Sequence, residues 1–104
     1  MDYRVIETVD ALDDLERCVY YLLFEKKSIQ AADRVLKDHD ETITRLSNAA
    51  GSLAYCGNPK LAAMGYKRIN FKEHNYFMLF RIEEDVATID RIFHGTQDYE
   101  NKLL

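Results

Sequence analysis

The sequence predicts an α+β fold of order β-α-α-β-β-β, with an antiparallel helical hairpin on one face of a small, mainly antiparallel four-stranded sheet. Three observations carry that prediction. Two stretches between residues 10 and 46 repeat apolar side chains at three- and four-residue steps, the period of an amphipathic helix. Three later stretches, 66–72, 76–82 and 86–94, are rich in aromatic and β-branched residues and are parted by short polar turns. The break between the helical stretches, Glu25-Lys26-Lys27-Ser28, is short enough that the second helix must fold back on the first.

The elements follow in order. Tyr3 to Val9 is β-branched and aromatic with partial alternation, which reads as a strand. Asp10 is the candidate N-cap of the first helix, with Asp13 and Asp14 suited to the positive end of its dipole. Leu12, Leu15, Cys18, Val19, Leu22 and Leu23 form its apolar face, and Lys26 and Lys27 suit its C-terminus. In the second helix Ile29, Ala32, Leu36, His39, Ile43 and Leu46 make one continuous stripe. His39 on that stripe reads as a packed or boundary residue rather than a ligand. From Ser47 to Gly65 the periodicity fails, and Gly51, Gly57, Asn58-Pro59 and Gly65 mark a long connector. In the next strand Tyr66, Arg68, Asn70 and Lys72 alternate with Lys67, Ile69 and Phe71. Residues 76–82 are apolar on both faces and so belong in the middle of the sheet. Glu83-Glu84-Asp85 turns the chain into the strand 86–94, and residues 98–104 read as a short terminal helix or a tail.

Composition bounds the function. At 47% hydrophobic and 31% charged residues, the 104-residue chain is expected to be one globular domain, 1–104, rather than a disordered one. Cys18 and Cys56 have no metal-binding or disulfide-framework spacing, so they read as reduced thiols. The N-terminus has no basic region followed by an apolar stretch, and no run is long enough to span a membrane. A cytoplasmic protein without a membrane partner is expected. The net charge of −4 argues against a protein that grips phosphate backbones over its whole surface. The charge is uneven, however. Residues 1–45 hold eleven acids against seven bases, whereas 60–82 hold Lys60, Lys67, Arg68, Lys72 and Arg81 against Glu73. The histidines and cysteines, at positions 18, 39, 56, 74 and 94, have no short-range spacing that builds a metal site. No phosphate-cradling loop, nucleophile elbow or carboxylate pair is present. No cofactor and no metal are expected.

The element order resembles the RelE/ParE toxin superfamily of type II toxin–antitoxin systems. So do Gly65-Tyr66-Lys67-Arg68 leading into a strand, an aromatic strand ending in Arg81-Ile82, and a last strand ending Arg91-Ile92-Phe93-His94-Gly95. The resemblance spans nearly the whole chain and is most specific over 65–103. It implies a cytoplasmic bacterial toxin, in a class linked to plasmid stabilisation and growth inhibition. A cognate antitoxin would neutralise it, in a toxin–antitoxin hetero-oligomer. RelE-like members resemble ribonucleases that cut messenger RNA on the ribosome, and ParE-like members poison DNA gyrase without being nucleases. Cleavage through the RNA's own 2′-hydroxyl needs a base, an acid and cations for the charge growing on phosphate. The resemblance places Arg68 at one such cationic position. It also places Asn70 at a second that is usually basic, Phe77 where a third-strand Arg would stand, and Gln97 where a C-terminal Arg would stand. These departures and the acidic overall charge favour the ParE-like branch and a non-enzymatic protein; the alternative is a RelE-like endoribonuclease.

Arg68, His94 and Tyr99 are the candidate catalytic groups of that alternative, with His94 as acid or base and Tyr99 as stacking platform or proton donor. Lys67, Arg68, Arg81, His94, Gln97 and Tyr99 are the candidate contacts to a target or antitoxin. Plainer readings stand beside these. His94 to Tyr99 can be a strand-end turn, and Arg81 can pair with Glu83, Glu84 or Asp90. Arg68 and Arg81 fall at positions that could share one face of the sheet.

Overall fold

A computed structural model describes residues 2–95, so Gln97, Tyr99 and the element expected over 98–104 lie outside the described residues. Strand β1 (Arg4–Glu7) leads into α1 (Val9–Tyr20), which a π-helical turn (Tyr21–Glu25) extends. Thr8, not Asp10, caps α1. Its Oγ1 accepts the Ala11 amide at 3.1 Å while its own backbone is extended, so the helix starts at Val9, two residues earlier than an Asp10 cap would allow. The break falls at Lys26–Ser28, where Lys27 takes a positive φ of 51° and the Ser28 Oγ caps α2 (Ile29–Ala49).

The buried face of α2 is Ala32, Val35, Asp38, His39, Thr42 and Leu46, and Ile29 and Leu36 are exposed. The stripe is thus turned toward Val35, because two polar residues claim the centre of the contact. Asp38 receives the amides of Lys72 (3.1 Å) and Glu73 (2.9 Å) and the Nδ1 of His74 (2.7 Å), so it organises the turn between the second and third strands. His39 lies 2.8 Å from Glu7 of β1. Consecutive residues of one helix therefore tie it to both sides of the sheet.

The connector after α2 is more structured than its composition suggests. It holds a 3-10 turn (Ala50–Ser52) and a short helix, α3 (Pro59–Ala63). Asn58-Pro59 is a helix start rather than a plain turn. The Asn58 side chain accepts the Lys60 and Leu61 amides, and Pro59 occupies the first turn, where its missing amide costs nothing. Gly65 then takes φ +88°, a left-handed conformation that a side chain would strain, and turns the chain into β2 (Lys67–Asn70).

Strands β3 (Tyr76–Glu83) and β4 (Val86–His94) complete a sheet of order β1-β4-β3-β2. β1 is parallel to β4 and the other pairs are antiparallel. The expected α+β order and helical hairpin on a four-stranded sheet are what the chain forms. β3 is central, with Phe77 to Phe80 all at or below 1% exposure. Both faces of the sheet are covered. Ile69, Met78, Phe80, Ala87, Ile89 and Ile92 pack under the helices, and Phe77, Leu79, Phe93 and Tyr66 pack with Leu61 of α3 on the far face. Leu79 pairs with Arg91 but Phe80 pairs with Ile89, so Asp90 is an extra residue, a β-bulge. The bulge inverts the alternation: Ala87 and Ile89 face the helices before it, and Ile92 faces them after it.

Two consequences are measurable. Asp38→Asn leaves three donors facing an amide and should destabilise the protein by about 2–4 kcal/mol in urea unfolding. Burial, the largest single influence on His39, works against its charge. The hydrogen bond and charge of Glu7, with those of Asp40, overcome it and hold the ring above the usual 6.5. Protonated His39 therefore stabilises the fold below that value, and the contribution is lost as pH rises through the raised one. Burial alone would raise Asp38, but the bonds from His74 and the Glu73 and Lys72 amides bring it below 3.8. Its contribution is present above 3.8 and lost as pH falls through the lowered value. The urea midpoint should peak in the mildly acidic range, and His39→Gln should remove the decline above it.

Candidate functional site

The far face of the sheet gathers the cations. Arg68 of β2 and Arg81 of β3 both lie there, since Arg68 pairs with Leu79 and Arg81 stands two residues beyond it. Arg91 of β4 has the same facing by register, but at the open edge of β4 its guanidinium reaches Asp14 of α1. Each guanidinium lies over an aromatic ring: Arg68 over Phe77 at 3.7 Å, Arg91 over Phe93 at 4.8 Å, and Arg81 over Tyr66 at 5.4 Å. Stacking of this kind suits Arg better than Lys, because the guanidinium is planar and weakly hydrated.

Each Arg also has a polar partner. The Arg68 Nε donates to Asn70 Oδ1 at 2.8 Å, so the residue standing where a second cation is usual instead accepts a bond from the first. The Arg81 Nε donates to Asp90 at 2.7 Å, the bulge residue. Arg91 makes two bonds to Asp14 of α1, at 2.8 and 2.9 Å, and the same carboxylate takes the Ile92 amide at 2.9 Å. The sequence offers no signal for the Asp14–Arg91 clamp, because its partners are 77 residues apart and Asp14 sits where any helix would favour an acid.

Lys67 is placed differently from Arg68. It is buried on the opposite side of β2, with Nζ donating to the carbonyls of Leu53 (2.8 Å) and Gly51 (3.3 Å) and lying 4.6 Å from the centre of the Tyr55 ring. Its charge closes the C-terminal end of α2 and the turn after it. Burial pushes the Cys56 thiol up, although Arg68 nearby works the other way.

His94 lies on the helix side of the sheet. It pairs across the strands with Tyr76, whose ring meets it edge-on at 5.1 Å, and both line a cleft of about 340 Å³ with Asp14, Arg17, Cys18 and Tyr21. Burial pushes the Cys18 thiol and the Tyr76 hydroxyl up, so neither is ionised near neutral pH. Gly95 ends the strand, with its amide on the Asn75 carbonyl and the Asn75 side chain where a Cβ would stand. The structure thus brings Arg68 and Arg81 to one face and leaves His94 on the other; Gln97 and Tyr99 lie outside the described residues. Among the described residues, no group of three or more His, Cys, Asp or Glu is placed to hold a metal ion, and no helix is long and apolar enough to cross a membrane.

A family model described as the ParE toxin of the type II toxin–antitoxin system, parDE, matches residues 5–99. The chain belongs to that family. The structure of the chromosomal ParDE toxin–antitoxin system from P. aeruginosa contains a chain of similar fold, with a TM-score of 0.67 and 20% identity over 88% of this chain and 95% of that one. The toxin–antitoxin complex RelBE2 from Mycobacterium tuberculosis contains another, with a TM-score of 0.59 and 18% identity over 90% and 99%. At these identities the likeness is one of fold. No curated protein sequence matches the chain. In this ParE-type toxin each strand-borne arginine lies on a ring and has its own polar partner.

The two carboxylate clamps should differ sharply in worth. Arg81→Ala removes a half-exposed cation from a less exposed carboxylate and should cost about 1 kcal/mol in urea unfolding. Asp14→Ala strands Arg91 and a buried amide and should cost about 3 kcal/mol or more.

Proposed function

We propose that this ParE-family toxin inhibits growth by binding a protein target and not by cleaving RNA. The target implied by its branch of the superfamily is DNA gyrase, in the bacterial cytoplasm. A cognate antitoxin, bound in a hetero-oligomer, neutralises it. The observation that carries this reading is the engagement of the cations. Arg68 is bonded to Asn70 and stacked on Phe77, and Arg81 is held by Asp90. A ribonuclease of the RelE kind needs cations and an acid–base group converging on one phosphate. Here Phe77 is buried where a cation would stand, and His94 is on the opposite face from Arg68. A face of arginines stacked over buried rings instead suits a protein surface, since Arg, with Trp and Tyr, dominates the energetic centres of protein interfaces. In this reading Arg68 and Arg81 contact the target. Lys67 supports them from the other side of β2, and His94, with Gln97 and Tyr99 beyond it in the sequence, remains a candidate contact to the antitoxin.

Induced expression in a bacterium, with separate pulse-labelling of new DNA and new protein, tests the reading. DNA synthesis should fail first, with filamentation and a DNA-damage response. Arg68→Ala should restore colony formation by at least about 10-fold, as expected when one anchor of an interface is removed. Protein synthesis stopping first, with messenger RNA cut at ribosome-occupied codons, would establish the nuclease reading instead.

A further inference from the structure

A cleft of about 410 Å³ opens at the outer edge of β2, and its lining includes Arg45 of α2, Leu53 and Tyr55 of the connector, and Arg68, Ile69 and Asn70 of β2. β2 is an edge strand, and both ends of that edge are occupied. Tyr55 bridges Lys67 at one end, and at the other the Arg45 Nη2 donates to the Asn70 carbonyl at 2.7 Å. An edge closed in this way receives a side chain rather than a further strand. Asn70 holds both guanidiniums, since its Oδ1 also accepts the Arg68 Nε at 2.8 Å.

The lining is cationic, and among the described residues around the cleft there is no acid. Arg45 bonds neutral oxygens among the described residues, those of Asn70 and of the Thr42 hydroxyl at 3.3 Å, and both bonds leave from Nη2. The Arg68 guanidinium lies flat on the Phe77 ring, 3.7 Å from its centre. Guanidiniums held in place before a ligand arrives bind it at less entropic cost, and their planar forks of donors match a carboxylate. Lys67 offsets a competing negative charge, because its Nζ takes the Gly51 and Leu53 carbonyls in the turn after α2. Tyr55 is 60% exposed beside the arginines, yet it is fixed by its bridge and by the Lys67 ammonium 4.6 Å from its ring. A fixed, exposed Tyr next to two Arg has the composition of an interface anchor. About one turn back along α2, Asp40 and Glu41 are exposed. A polyphosphate chain leaving the cleft that way meets acids, whereas a single carboxylate does not.

We propose that this cleft seats the carboxylate of an Asp or Glu side chain of the target protein between Arg45 and Arg68, while an apolar neighbour of that residue packs on Tyr55 and Leu53. The proposal rests on the reading that the chain acts by binding a protein. It extends the contact from the arginines of β2 and β3 to α2 and the connector. It also gives Asn70 a role. A cation at that position would add one more charge for a phosphate; the neutral Asn instead aligns two guanidiniums from different elements.

Two measurements on the purified full chain test it. In the first, nuclear magnetic resonance follows the arginine side-chain signals at constant ionic strength as N-acetylglutamate amide, N-acetylglutamine amide or inorganic phosphate is added. The glutamate probe should shift the Arg45 and Arg68 signals and saturate at a concentration at least about 10-fold lower than the glutamine probe. In the second, titration calorimetry compares binding of the parent, Arg45→Gln, Arg45→Lys, Tyr55→Ala and Arg34→Gln to purified gyrase holoenzyme, with circular dichroism melts confirming that each variant is folded. Arg45→Gln and Tyr55→Ala should bind at least about 10-fold more weakly. Arg45→Lys, which keeps the charge without the fork, should rescue little of that loss. Arg34→Gln removes an equal charge about three turns away on α2 and should stay within about 2-fold of the parent. A glutamine probe that shifts the signals as strongly as glutamate, or phosphate that saturates first, overturns the carboxylate assignment. Folded Arg45 and Tyr55 variants that hold gyrase as tightly as the parent overturn the contact. A parent that dimerises in the ultracentrifuge, with the dimer lost only in the Arg45 and Tyr55 variants, assigns the cleft to a second copy instead. A parent that does not bind gyrase at all counts against the proposed target, while the probe titration still decides the cleft.

Discussion

Beyond Ile89, β4 has no strand on its outer side, because β1 ends at Glu7. An unpaired amide edge buried beside a helix is costly, and a side chain must take its place. Asp14 does so, accepting the Ile92 amide and both donors of Arg91 while itself almost fully buried. The position of α1 over the sheet, the end of β4 and the orientation of Arg91 all follow from this one carboxylate. The bulge at Asp90 depends on the same region. The Thr8 hydroxyl that caps α1 also donates to the Asp90 carbonyl at 2.9 Å, so the start of the helix and the bulge are held together.

The second anchor is the pair Asp38–His39 on α2. Neither residue is apolar, and each binds a different part of the sheet, so the helix can settle in only one register. Hydrophobic packing alone permits small slides between a helix and a sheet; a buried carboxylate with three donors does not. The result is a helical layer whose outside carries acids beside exposed apolar residues, and a sheet whose far side carries arginines stacked over buried rings.

Much of the fold was legible in the sequence. The apolar run 76–82, bounded by polar turns, could only be a central strand. Glu25-Lys26-Lys27-Ser28 is visible as a break because four polar residues interrupt the apolar period, which restarts at Ile29. The errors are local and share a cause. Asp10 and Thr8 are both acceptable caps, and the choice of Thr8 depends on a bond to Asp90 on a distant strand. Leu36 looked like core by spacing, but Asp38 and His39 turned the helix so that Val35 is buried instead. Asn58-Pro59 has the composition of a turn, yet it starts α3, whose Leu61 packs under the far face of the sheet.

The candidate site was less legible. Arg68 and Arg81 could be assigned to a common face from alternation, because β2 and β3 run without interruption where those two residues sit. His94 could not be placed. A regular β4 would have carried it to the far face beside Arg68, and one extra residue at Asp90 sends it to the helix side. Local composition and periodicity determined the elements, their order, the central strand and the uneven charge, since these depend on residues close together in the chain. Only the tertiary structure decided which side chains meet. The bulge, the Asp14–Arg91 clamp and the Asp38–His74 turn each join residues 9 or more positions apart, and their bonds are satisfied only when the whole sheet has closed.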